Sequence, residues 1–206
     1  MRRPYVLSVL TLVILLIGGW NIPSTSHAAA DATPAKAYFA GGCFWCMEEV
    51  FEQVEGVLAV ISGYMGGKVA NPSYEEVSAG RTGHTESVEV VYDTAKVSYQ
   101  KLLEAFWRNV DPLTPNAQFC DHGSQYRSAI FFRTDEEKRA SDTSKLAIEQ
   151  SKRFKEPIVT QIVQASQFYP AEEYHQDFYK KNPVRYKFYK YNCGRAKRLE
   201  ELWRDP

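Results

Sequence analysis

The chain lacks an excess of charge of either sign: 25 Lys and Arg stand against 25 Asp and Glu in 206 residues. Such balance gives no electrostatic reason to expect nucleic acid or an anionic surface as a partner. Beyond its first residues the chain also lacks any apolar run approaching the ~20 residues that a membrane span needs. No internal repeat is evident, which excludes solenoids and propellers. Cysteine is scarce, with four residues in all. Neither these nor His84, His122 and His175 fall at zinc-ligand spacing, and Cys43 and Cys46 have no matching second pair. No metal site is expected.

What is present begins with a leader. Met1-Arg2-Arg3 is basic, Tyr5 to Trp20 is apolar, and Ser26-His27-Ala28 offers small residues for cleavage, with Ala28-Ala29-Ala30 as a second choice. Residues 1–28 therefore read as a secretory signal peptide, residues 29–35 as a linker and residues 36–206 as one domain including a tail at 182–206. An uncleaved anchor is the alternative, though the run is short for it. Cleavage removes two arginines and leaves 23 basic against 25 acidic residues. The mature protein is expected outside the cytoplasm, periplasmic or secreted, with no membrane partner. Cysteines Cys43, Cys46, Cys120 and Cys193 remain after export. An even count in an oxidising compartment suggests two disulfides. A domain of this size does not need staples, however, and Cys43 and Cys46 are too close together to restrain much chain entropy. A redox role fits better.

Patterning predicts strands at 36–40, 57–64, 86–92, 126–132 and 158–165. Helices are predicted from Cys43 to about Val54, from a Ser98 cap to Asp111-Pro112, from a Thr134/Glu137 capping box to about Phe154, and over 171–181. Residues 65–83 and 111–125 read as long loops, which usually carry function. The order gives an α+β fold: a two-layer sandwich with a ferredoxin-like βαββαβ core, a mixed sheet, extended loops and a C-terminal tail.

Three stretches hold chemistry. In Gly41-Gly42-Cys43-Phe44-Trp45-Cys46 the apolar spacing places Cys43 at a helix start, where unpaired N–H groups favour a thiolate and lower its pKa. The two rings can wall a small apolar pocket. A buried structural thiol is the competing reading. Glu86 follows His84 at the opening of a strand; desolvated, it becomes a general acid, and solvated, an ordinary carboxylate. The run from Cys120-Asp121-His122-Gly123 to Tyr126-Arg127 gathers polar groups, or is simply a turn around Gly123.

Together these motifs resemble the peptide methionine sulfoxide reductases of the A type. The resemblance rests on Gly42-Cys43-Phe44-Trp45 and Glu48, Gly63-Tyr64, Gly66-Gly67, Asn71-Pro72-Ser73-Tyr74-Glu75-Glu76-Val77, Gly80, Thr82-Gly83-His84 and Glu86. It continues through Asp111-Pro112, Asp121 to Ser128 and Tyr174-His175-Gln176, to about Pro183. It implies a thiol-dependent reductase of methionine S-sulfoxide, free or in proteins, that repairs oxidised exported proteins. Cys43 would attack the sulfoxide sulfur, and Glu86 would protonate its oxygen. Tyr74 and Tyr126 would hydrogen-bond that oxygen, Asp121 would arrange the polar side, and Phe44 and Trp45 would hold the S-methyl group. A Cys43 sulfenic acid would then be condensed to a disulfide by a second thiol. No bound cofactor is expected. A thioredoxin-like protein, or dithiothreitol in vitro, would supply electrons, and the protein is expected to be a monomer.

The tail departs from the family, whose resolving cysteines lie in a glycine-rich segment. Here it reads Tyr186-Lys187-Phe188-Tyr189-Lys190-Tyr191-Asn192-Cys193. Resolving candidates are Cys193 on a mobile tail, then Cys46 in a CxxC, then Cys120; Cys120 and Cys193 are otherwise spectators or partners of one another. Two other functions compete: a CxxC disulfide oxidoreductase, and a binding domain with all four cysteines paired.

Overall fold

The structure, a computed structural model, describes residues 34–204. The expected leader and nearly all of the linker lie outside the described residues. Strand β1 (Ala35–Gly41) leads through two glycines into α1 (Phe44–Glu52), then β2 (Val57–Met65), a five-residue helix α2 (Tyr74–Ser78) and β3 (Thr85–Tyr92). After α3 (Tyr99–Trp107) come a two-residue hairpin, β4 (Ala117–Gln118) and β5 (Asp121–His122), then β6 (Ser128–Phe132) and α4 (Asp135–Gln150). The remainder is β7 (Gln161–Gln164), β8 (Tyr169–Pro170), α5 (Phe178–Lys181), α6 (Pro183–Asn192) and α7 (Arg195–Trp203). No helix among the described residues is long and apolar enough to cross a membrane.

The sheet runs β7-β6-β1-β3-β2-β8. Its centre, β6-β1-β3-β2, is antiparallel throughout and has the strand order of a ferredoxin-like core; β7 adds in parallel at one edge and β8 antiparallel at the other. The α+β architecture with a mixed sheet is as the sequence predicts. Along β1 the period of two sorts the side chains. Ala37 and Phe39 join the main core, while Tyr38 and Ala40 join a smaller cluster with Met65, Ala129 and Phe131. Phe39 stacks on Phe51 of α1 at 4.8 Å and on Phe106 of α3 at 5.4 Å, fixing both helices to the sheet beside the Cys43 turn.

Several local expectations change. Residues 65–83 contain α2, closed by a reciprocal capping box between Ser73 and Glu76. Residues 111–125 hold the β4–β5 hairpin. At α4, Thr134 accepts the N–H of Glu137, but the Glu137 carboxylate reaches back to the N–H of Arg133, one residue before the cap. The fifth strand is only four residues long, and the helix predicted at 171–181 is a 3₁₀ turn (Glu173–His175) followed by α5. The tail is two packed helices. Pro183 occupies the first turn of α6, and Gly194 at φ +69° separates it from α7.

Candidate active site

The site is built on the β1–α1 turn. Gly42 has φ +79°, and a Cβ there would lie 2.5 Å from Cβ of Gln118. Gln118 is itself fixed, its amide donating to the Asp111 carbonyl at 2.6 Å and accepting the Asp111 N–H at 2.9 Å. The chain therefore turns within van der Waals reach of the β4 hairpin and sets Cys43 as the N-cap of α1. The Cys43 carbonyl accepts the N–H groups of Cys46 and Met47, and its side chain caps nothing.

The donor at the helix start is aimed elsewhere. The N–H of Phe44 donates to Oε2 of Glu86 at 3.0 Å, bringing the carboxyl from β3 to the mouth of α1. Burial pushes Glu86 up to about 8, only partly offset by that N–H, so it is an acid at neutral pH. Cys43, Phe44, Trp45, Tyr74, Glu86, Asp121, Tyr126 and Tyr189 line one cavity of about 70 Å³. All seven residues assigned to catalysis or methyl binding by resemblance are thus brought together.

Their supports explain the convergence. Tyr74 opens α2, and its N–H donates to Glu172 Oε1 at 2.8 Å; Tyr64 OH, beside Glu86 in the β2–β3 register, donates to Glu172 Oε2 at 2.7 Å. Burial raises Tyr74 to about 12 and Tyr126 higher still, keeping both phenols as donors. Trp45 lies flat on Phe178 at 3.7 Å and donates its indole N–H to Nδ1 of His175 at 3.2 Å. Burial lowers the pKa of His175, which suits that accepting nitrogen. Asp121 is raised by burial and accepts from Tyr189 OH at 2.5 Å.

The cysteines correct two expectations. The pKa of Cys43 is not lowered. Only 6% of its surface is exposed, and burial, followed by its hydrogen bond to Cys46, pushes the thiol well above its ordinary value. Desolvation outweighs a helix of nine residues whose first free N–H serves Glu86 instead. Cys46 is held below its ordinary value, first by the Cys43 hydrogen bond and then by Arg195. Second, the segment before Cys193 is a packed helix and not an irregular tail. Cys193 caps α6 and is joined to Cys120, with Cα atoms 4.9 Å apart, while Cys43 and Cys46 are free and buried. Two free cysteines do not match a binding domain with every cysteine paired.

Three residues of the site went unassigned in the sequence. Glu172 anchors Tyr74, His175 supports Trp45, and Tyr189 walls the cavity. The motif around His175 gave a cue to the second; nothing in an aromatic tail distinguished Tyr189 from its neighbours. A larger open groove of about 1180 Å³ between α3 and α4 holds none of the thiols or the buried acid. Among the described residues, two acidic or sulfur clusters have ligand atoms within 4.8 Å of one another. One contains the Cys120–Cys193 bond, and in the other Lys180 already pairs with Glu52 and Asp177.

A small cavity in which a cysteine at a helix start meets a protonated carboxyl and two phenols defines a thiol enzyme acting on a compact polar head group. A family model described as peptide methionine sulfoxide reductase matches residues 35–206. "Peptide methionine sulfoxide reductase MsrA" of Listeria welshimeri is 50% identical over 169 residues, covering 82% of this chain and 96% of the relative. Among solved structures, Mxr1 of Saccharomyces cerevisiae in reduced form has a TM-score of 0.70 at 30% identity, covering 75% of this chain and 88% of that one. Mxr1 in complex with Trx2 has a TM-score of 0.51 at 22% identity, covering 72% and 86%. The chain belongs to the peptide methionine sulfoxide reductase family, and with it to the oxidoreductases that reduce methionine sulfoxide in protein repair.

Proposed function

We propose that the Cys43 cavity reduces the S epimer of methionine sulfoxide, free or in proteins, and that electrons reach it through the Cys120–Cys193 pair. The observation that carries the reading is Glu86, neutral and seated on the N–H of Phe44, in the same small cavity as Cys43. A sulfoxide is a poor electrophile until its oxygen is protonated or strongly hydrogen-bonded. Glu86 supplies the proton, and Tyr74 and Tyr126 supply hydrogen bonds. Phe44 and Trp45 hold the methyl group. The net step breaks the S–O bond of the substrate and forms one on Cys43: the thiol and sulfoxide become sulfenic acid and thioether. The substrate sulfur gains two electrons and Cys43 loses two.

Cys193 then condenses with the sulfenic acid, releasing water and forming a Cys43–Cys193 disulfide. Attack by the Cys120 thiol on Cys193 frees Cys43 and leaves Cys120–Cys193, the bond present in the structure. Cys120 is exposed, so a thioredoxin-like dithiol can reach it. That yeast Mxr1 has been solved with Trx2 supports a partner of this kind. No cofactor enters the scheme. The basic, apolar, small-residue start of the chain supports export and the repair of proteins outside the cytoplasm, with an exported reductant. A mature N-terminus at Ala29 or Asp31 on the protein recovered from the periplasm or medium would support this, and full-length cytoplasmic protein would overturn it. The buried thiols, 6% and 2% exposed, disfavour a general CxxC oxidoreductase.

Mass spectrometry after one turnover tests the relay. Cys43→Ser should consume no sulfoxide, and Cys120→Ser should accumulate Cys43–Cys193. Activity in clean Cys43→Ser protein refutes the nucleophile, and a Cys43–Cys46 bond in Cys120→Ser protein refutes the relay.

A further inference from the structure

We propose that Tyr189 is a specificity-determining residue, the wall that limits the substituent on the sulfinyl sulfur to a methyl group. This rests on the Cys43 cavity being the sulfoxide site. Tyr189 comes from α6, far along the chain, yet lines the same 70 Å³ space as Cys43 and Glu86. The space is small, and three of its walls are the rings of Phe44, Trp45 and Tyr189. With the methyl group held at Phe44 and Trp45, a further methylene is directed against the Tyr189 ring that meets Trp45.

The other walls have little freedom to give way. Phe44 is 1% exposed, and Trp45 is clamped between Phe178, on which it lies flat, and Tyr189, which meets it edge-on at 6.0 Å and 84°. Tyr189 is held at its far end, where its hydroxyl donates to Asp121 and lies 4.0 Å from Sγ of Cys193. Its seat does not depend on the disulfide alone. Tyr186 OH donates to Glu49 of α1 at 2.6 Å, and Lys190 pairs with the same carboxylate. These contacts keep α6 against α1 when the cysteines are reduced, the state in which substrate binds.

The test compares kcat/KM for methionine sulfoxide and ethionine sulfoxide with dithiothreitol as reductant. One methylene in a filled apolar pocket is worth roughly 10–200-fold, and the wild-type preference for methyl should fall in that range. Tyr189→Phe keeps the ring and should keep the preference within about twofold of wild type. Tyr189→Ala should lower it below about fivefold, through faster turnover of the ethyl compound. If Tyr189→Ala retains the wild-type ratio, or loses both activities in proportion, Tyr189 is not the selecting wall. Should the alanine variant fail to fold, Tyr189→Leu reads the same ratio. Wild-type protein that consumes neither sulfoxide would instead refute the reading of the cavity itself.

Discussion

Glu86 shows how one buried carboxyl sets two pH dependences. Its pKa moves from the ordinary 4.5 to about 8, so it carries its proton below pH 8 and loses it above. The kcat/KM of the wild type should therefore fall as pH rises through about 8. Glu86→Gln should lose that limb and about 10²–10⁴-fold in rate, as a pH–rate profile with dithiothreitol will show. Between 4.5 and 8 the folded chain holds a proton that the unfolded chain has released, so stability falls as pH rises across that window. Denaturant titrations at pH 5 and 8 should show a smaller difference for Glu86→Gln. Glu48, raised by burial to about 7, adds a slope of the same sign and remains in the variant. Gly42 is equally decisive by geometry: Gly42→Ala meets Gln118 at 2.5 Å with φ +79° and should cost at least about 2 kcal/mol of stability together with most activity.

At the scale of elements, the sequence was readable wherever period and caps agree. Strands β1, β2, β3 and β6 alternate, Ser98 accepts the N–H of Lys101 as an N-cap should, and the ferredoxin-like order followed from them. The place of Cys43 between strand and helix was readable too. At Glu86 the pattern left a general acid and a solvated carboxylate both open, and only the family resemblance assigned a role. The tail was not readable. α6 has Tyr186 buried on one face, while Val184, Phe188 and Tyr191, at i, i+4 and i+7, form an exposed stripe on the other, so its apolar pattern points away from the face it buries. Only Pro183 and Gly194 mark its ends. The direction of the Cys43 shift was also beyond a sequence, because depth of burial depends on that same helix. Tertiary contacts rather than propensity hold α6, through Glu49 above all. Glu49→Ala removes the partner of both Tyr186 and Lys190 and should lower unfolding free energy by about 1–3 kcal/mol. Limited proteolysis should then cut first between 183 and 194.

Across the whole molecule, a four-stranded antiparallel centre carries Glu86 on β3 and Cys43 just beyond the end of β1. Helices α5 and α6 close over them from a distant part of the sequence. The core that fixes β1, α1 and α3 around Phe39 makes the catalytic turn a rigid part of the fold. The Cys120–Cys193 sulfurs sit outside it. Cys43 is nearly sealed, whereas Cys120 faces solvent. On the proposed relay the two half-reactions have separate doors, an inner one at buried Cys43 and an outer one at exposed Cys120. A protein reductant too large for the cavity can discharge the molecule without entering it, and should not compete with sulfoxide. Double-reciprocal plots at several reductant concentrations should be parallel, whereas lines crossing as for rivals at one mouth would contradict the two-door arrangement.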